Sequence, residues 1–213
     1  MRHRGPSRPS SRPRPRPRPE AVAAALLLGA ACATASLPAP GVPERAAAAS
    51  SWSGSVRVSV SGPELRGRSR VLMAFRRPDA VRIEIPGPSG ARLVAVANGG
   101  RLVAVLPGER AVLESEATAA DLEALLGVAL SPPQLMDVLV GVAPPGLLEY
   151  RAQWGGTLPR RVEARLADGT RLKVTVDEAE AGLHLPDAVF ELPPHESYRP
   201  VDAHEARRLL GGR

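Results

Sequence analysis

Side chains able to do covalent, acid–base or metal chemistry are few in this 213-residue sequence, and they sit apart. Cys32 is the single cysteine. A thiol offers a nucleophile, half of a disulfide, a metal ligand or a point of covalent modification. With no second cysteine an internal disulfide is impossible, and in an exported chain an unpaired thiol is a liability unless it is modified. Three histidines follow it, His184, His195 and His204, irregularly spaced, late in the chain and with no cysteine left to complete a metal set. His195-Glu196 and His204-Glu205 could in principle hold a metal or move a proton, but on so polar a stretch they read as solvated surface. No serine has a visible base partner. The sequence therefore predicts a protein that is not an enzyme, with no metal and no cofactor.

The surroundings of Cys32 are more telling. Directly before it runs an apolar stretch, residues 21–31, and before that an arginine-rich leader. A basic segment, a short apolar run and small residues are the parts of an export signal. The run covers about half of the roughly 20 residues that a membrane-crossing helix needs. This order resembles a bacterial lipobox, with Leu28 four places before the cysteine and Gly29 three. The resemblance implies that residues 1–31 are a lipoprotein signal peptide, that Cys32 is lipidated, and that the protein is anchored in the bacterial cell envelope. Ala33 after the cysteine, rather than Asp, implies the outer membrane, facing the periplasm.

The leader also carries the charge. It holds seven arginines and one acid, Glu20, which equals the whole net charge of +6. The remainder has 21 basic and 21 acidic residues and is formally neutral. Nucleic-acid binding through phosphate neutralisation is thereby excluded as a reading of the basic pI. Residues 33–51 are rich in Ala, Pro and Ser without an apolar period, and read as a flexible tether. Residues 52–200 are long enough for one domain. With only six aromatics in the chain, Val, Leu and Ala must fill its core. Its most apolar stretch, Val128 to Leu148, is broken by Pro132-Pro133, Asp137 and Pro144-Pro145, so it predicts no membrane span.

The domain begins with a period of two. Val56, Val58 and Val60 share one face, then Val71, Met73 and Phe75, then Val81, Ile83 and Ile85. Strands over 93–97 and 102–106 are joined by Asn98-Gly99-Gly100, and a sixth covers 110–114. These six imply an antiparallel meander. Thr118 is placed to cap a helix with Asp121 three residues on, and Gly127 to stop it. A second helix starts at Ser131, with Pro132 and Pro133 in its first turn, and runs to Gly141. Strands are expected again at 147–154, 161–166, 171–176 and near 188–192. Residues 201–213 read as a polar tail with a short helix around 203–210.

Leu93–Ala97 and Leu102–Leu106 are apolar on both faces, whereas an exposed antiparallel sheet needs only one such face. The sheet must be covered twice or enclose something. A solid aliphatic core and a cavity for a flexible apolar ligand both satisfy that pattern.

Several phrases narrow the choice by resemblance: Phe75-Arg-Arg-Pro-Asp-Ala-Val-Arg-Ile-Glu84, Asn98-Gly-Gly-Arg-Leu102, the helical Leu125 to Gly141, Leu158-Pro-Arg-Arg-Val162 and Phe190-Glu-Leu-Pro-Pro194. With the order strands, helix pair, strands, they resemble the LolA/LolB superfamily of lipoprotein carriers and receptors. The resemblance implies a mainly β (α+β) fold, an incomplete antiparallel barrel of about 10–11 strands with a short helical lid. It implies a hydrophobic cavity for acyl chains of lipoproteins or lipids, acting in lipoprotein sorting or outer-membrane insertion. By position the walls would be Met73, Phe75, Ile83, Ile85, Leu93 and Leu102, and the lid Leu122, Leu126, Leu135, Met136 and Leu139. The receptor branch carries an exposed leucine on the loop after the third strand; Pro86–Gly90 has none, and Leu65 is the only similar residue nearby. The alternative is a non-catalytic structural lipoprotein of an envelope complex with a filled core.

Overall fold

Alternating apolar residues build a single ten-stranded sheet. The structure is a computed structural model and describes residues 37–63 and 66–211. Cys32, the leader and Leu65 lie outside the described residues. Six strands run consecutively: β1 (Ser51–Ser61), β2 (Arg66–Arg76), β3 (Ala80–Gly87), β4 (Gly90–Asn98), β5 (Arg101–Leu106) and β6 (Ala111–Glu116). Helices α2 (Ala119–Leu126) and α3 (Pro132–Leu139) follow a short first helix, α1 (Val42–Ala47), and precede β7 (Glu149–Gly155), β8 (Leu158–Arg165) and β9 (Arg171–Ala181). A two-residue β10 (Arg199–Pro200) and helix α4 (Ala203–Gly211) close the chain. The order across the sheet is β10-β6-β5-β4-β3-β2-β1-β9-β8-β7, antiparallel except where β10 joins β6. The sheet does not close on itself, so the architecture is the expected incomplete barrel with a helical lid.

That order dictates where the helices lie. β6 and β7 stand towards opposite ends of the sheet, so the α2–α3 segment must cross a face to connect them. It crosses the inner one. There Val56, Val71, Phe75, Val81, Leu93, Ala95, Leu102, Val162 and Leu172 form one buried cluster with Leu122, Leu125, Met136 and Leu139 of the helices. The ends of the helices follow the expected chemistry. Thr118 Oγ1 accepts from the Asp121 N–H at 3.1 Å, and Gly127, at φ 74°, donates its N–H to the Glu123 carbonyl at 2.7 Å. The Ser131 N–H donates to Gln134 Oε1 at 2.8 Å.

The outer face is covered too, which accounts for the two-faced strand at 93–97. Val96, Ala74 and Ala80 of the outer parity bury against Leu185 and Phe190. Residues 183–192 lie across this face, and arginines hold them there. Arg76 bridges Asp187 at 2.8 Å, donates to the Leu185 carbonyl at 3.2 Å and stacks over the Phe190 ring at 5.1 Å. Arg82 donates to the Glu191 carbonyl at 2.7 Å.

Three expectations are corrected. The strand near 188–192 is a 3₁₀ turn, Asp187–Phe190, between Pro186 and Pro193-Pro194, and the edge strand is β10 instead. Prolines on both sides remove ladder donors, and the apolar residues serve the outer cover. The proposed tether contains α1, with Val42 and Ala46 buried, and β1 already begins at Ser51. The polar tail holds α4, whose Ala206 is fully buried and which packs on α2 and β6.

One junction beyond α3 is tight. Gly141 has φ 84°, and a Cβ there would stand 2.8 Å from the Trp154 ring. Gly141→Ala is expected to cost about 1–3 kcal/mol through the left-handed backbone alone, with more from the ring contact, read as a lower urea midpoint.

Candidate functional site

Between the inner face and the helices the packing leaves a cavity of about 440 Å³. Its sheet wall comes from Val58 and Val60 of β1, Val71 and Met73 of β2, Ile83 and Ile85 of β3, and Leu172 and Val174 of β9. Its roof comes from Leu122, Leu125 and Leu126 of α2, Val128 after it, Leu135, Val138 and Leu139 of α3, and Leu210 of α4. The side chains at depth are aliphatic, with one thioether. The volume falls in the range of small-molecule sites, which are mostly apolar with a few polar groups.

The mouth has a backbone cause. β2 and β3 pair from Arg76↔Ala80 only as far as Leu72↔Glu84. Continuing the register would set Arg70 opposite Pro86, which has no N–H to give. The β3–β4 ladder also shifts register between Ile85 and Pro86. From Arg66 to Val71, β2 therefore pairs with β1 alone. The exposed residues that border the cavity gather at this gap: Arg66, Gly67, Arg68 and Ser69 on β2, Arg92 on β4, and Gly211 at the end of α4.

The roof is pinned at its far end. Arg77, in the β2–β3 turn, reaches Asp137 of α3 at 2.8 Å, donates through Nε to the Ala49 carbonyl at 3.2 Å, and sits over the Phe75 ring at 5.6 Å. Beside this bridge, burial and secondarily the Asp137 carboxylate push the Tyr150 phenol well above its ordinary pKa. Tyr150 stays neutral and protonated there.

Of the eleven residues nominated from the sequence, Met73, Ile83, Ile85, Leu122, Leu126, Leu135 and Leu139 line the cavity. The other four do not. Phe75 is fully buried and stacks on Trp52 with ring centroids 6.3 Å apart. Leu93 and Met136 are fully buried in the solid part of the core. Leu102 borders only a crevice that leaves no room for a water molecule, shared with Leu122 and Leu135. Parity fixed the face of each residue, but the position along the strand decides whether it meets a helix or the cavity. The helix expected around 203–210 is α4, and only its place against the core and the cavity went unread. Ala203, Ala206 and Leu210, at spacings of three and four, are the signal that it has a buried stripe.

A groove of about 580 Å³ on the outer face has mixed walls, with Leu72, Ala74, Leu183 and Val189 beside Arg70, Arg82, Glu84, Glu178 and Glu180. The histidines fall elsewhere; His195 Nδ1 lies 2.8 Å from the Pro193 carbonyl. Among the described residues no three or more His, Cys, Asp or Glu side chains are grouped to hold a metal ion, and no helix is long and apolar enough to cross a membrane.

Fold and cavity together define an open antiparallel half-barrel, roofed by helices over an apolar pocket. Among solved structures, the chain is similar to a LolA superfamily protein from Nitrosomonas europaea, at 10% identity and TM-score 0.44, over 74% of this chain and 99% of that one. An uncharacterized conserved protein from Thermus thermophilus matches at 11% identity and TM-score 0.44, over 75% and 94%. A putative outer membrane lipoprotein-sorting protein domain from Vibrio parahaemolyticus matches at 6% identity and TM-score 0.38, over 70% and 92%. No protein-family model matches the chain, and a comparison with curated proteins finds no match. The fold description rests on the strand order and register above.

The division between core and cavity wall is measurable. Met136→Ala is expected to cost about 2–5 kcal/mol of stability, as for a fully packed site. Leu126→Ala, at a half-buried position facing the cavity, is expected to cost below about 1.5 kcal/mol in the same urea titration.

Proposed function

We propose that this is a lipid-anchored protein of the bacterial envelope that takes acyl chains of lipoproteins or lipids noncovalently into the cavity under α2, α3 and α4. One observation carries the reading: an aliphatic cavity of about 440 Å³ that is continuous with an exposed mouth. Binding would draw on burial of methylenes, at about 0.8 kcal/mol per CH₂, less the cost of ordering the chain. On this reading no bond is made or broken. The reading places the protein in lipoprotein sorting or outer-membrane insertion, tethered to the outer membrane through Cys32.

Binding is tested with the purified full-length chain carrying Cys32→Ser, which cannot place an acyl group of its own in the cavity. A fluorescent fatty-acyl probe should bind saturably. Leu135→Glu should weaken it at least about tenfold, because a carboxylate would then face the chain without a partner. Leu126→Trp, which fills the roof, should do the same while leaving the melting curve in place. Failure of the unsubstituted cavity to bind favours the filled-core structural reading.

The anchor has its own test. Radiolabelled palmitate should label the protein in growing bacteria and locate it in the membrane fraction. Cys32→Ala should lose the label and leave the membrane; label retained after that substitution overturns the assignment of Cys32.

A further inference from the structure

The cavity lining is aliphatic at depth, yet among the described residues it contains four arginines, Arg66, Arg68, Arg92 and Arg207, and no acidic residue. This is not a consequence of composition, since the chain beyond the leader has equal numbers of basic and acidic residues. At least eight of the nineteen described arginines stand in an ion pair. Arg57, Arg76, Arg77, Arg82, Arg101, Arg161, Arg165 and Arg199 each face a carboxylate within 3.3 Å. Among the described residues, neither Arg66 nor Arg68 makes an ion pair, and both are exposed.

Their placement follows from the strand. Val71 and Met73 take the inner parity of β2, so Arg66 and Arg68 take the outer parity and stand at the lip of the gap rather than inside it. Arg92 stands across the gap on β4, where its Nη2 donates to the Leu210 carbonyl in the last turn of α4. That bond covers the partly negative carbonyl end of the helix, which would otherwise oppose an anion at the mouth. A guanidinium has five N–H donors, so one such bond leaves most of Arg92 for a ligand.

We propose that Arg66, Arg68 and Arg92 bind the anionic head of a single amphiphile whose chain lies in the cavity, which makes the preferred ligand a phosphate- or carboxylate-headed lipid. This rests on the acyl-chain reading above and names the class of ligand. Guanidinium groups suit both heads through paired, charge-assisted N–H···O contacts. A chain with a neutral head would gain only the apolar part.

The test is competition against a neutral fluorescent reporter, 1-N-phenylnaphthylamine, bound to the full-length Cys32→Ser protein. The competitors share one chain length: a monoacylglycerol, a lysophosphatidylglycerol and a free fatty acid. At low salt an anionic competitor is expected to bind about tenfold tighter than the monoacylglycerol. In about 1 M salt, where the screening length is about 3 Å, the excess should shrink. Arg66→Gln/Arg68→Gln/Arg92→Gln should remove the excess of anionic over monoacylglycerol affinity. Arg66→Gln/Arg68→Gln alone, confined to the exposed lip, should remove part of it without moving the melting curve.

A preference for lysophosphatidylglycerol alone identifies a phosphate head, and one for the fatty acid alone a carboxylate head. Equal affinity for neutral and anionic competitors overturns the proposal and leaves the acyl-chain reading standing. An anionic preference that survives the triple substitution overturns the assignment to these arginines. If the reporter and all three competitors fail to bind, the acyl-chain reading falls, and this proposal with it.

Discussion

The inner face of the sheet is the constraint on which everything else depends. Strands β1 to β6, β8 and β9 all turn aliphatic side chains to it, and an open sheet cannot cover that surface by folding onto itself. Exposure would forfeit about 25 cal/mol per Å² of apolar area. The topology supplies the cover, because the chain must travel from β6 to β7 across that face. Two eight-residue helices are not wide enough to seal it. Met136 is fully buried, while the part of the face formed by β1, β2, β3 and β9 is left open beneath Leu126 and Leu135. α4 narrows this opening from the C-terminal side without filling it.

Much of this was legible in the sequence, for a physical reason. Alternation fixes which face a strand residue takes, and the pairs Val56/Val58, Val71/Met73 and Ile83/Ile85 all fell where period two put them. Caps are equally local, so Thr118, Gly127 and Ser131 could be read without knowing what the helices touch. Depth was not legible. Met73 and Phe75 share parity and strand, yet one lines the cavity and the other stacks on Trp52, a difference of position along the strand that period two does not carry. The stretch at 188–192 failed for a related reason: its apolar residues serve an outer cover, a role that has no period of its own. The helix at 203–210 was legible, but Glu205, Arg207 and Arg208 hid the fact that it packs on the domain.

Charge follows the same logic of placement over total. A formally neutral domain uses its arginines for three separate tasks. On the outer face Arg76 and Arg82 hold residues 183–192 over Val96 and Ala74. In the β2–β3 turn Arg77 ties α3 to the sheet and to the backbone before β1. At the mouth Arg66 and Arg68 stand without carboxylate partners among the described residues. Net charge averages these away, which is why it gave no argument for a nucleic-acid surface and still said nothing about the rim of the cavity.

The cavity also sets how the protein should respond to an occupant. Half-buried aliphatic side chains such as Leu126, Leu135 and Leu210 face empty space in the unliganded chain and lack partner atoms on that side. On the proposed acyl-chain reading, a methylene chain would restore those contacts in the folded state and has no comparable site in the unfolded one. Its binding free energy therefore adds to stability by linkage, about 2.7 kcal/mol at a ligand concentration one hundred times the Kd. The roof stands to gain most, since α2 and α4 hold one another and bound the cavity from above, whereas α3 is already pinned by Arg77 and Asp137. An occupied cavity should thus tighten the mouth side of the lid more than the anchored side, and the gap between β2 and β3, where Pro86 ends the ladder, is the natural path for a chain to enter or leave.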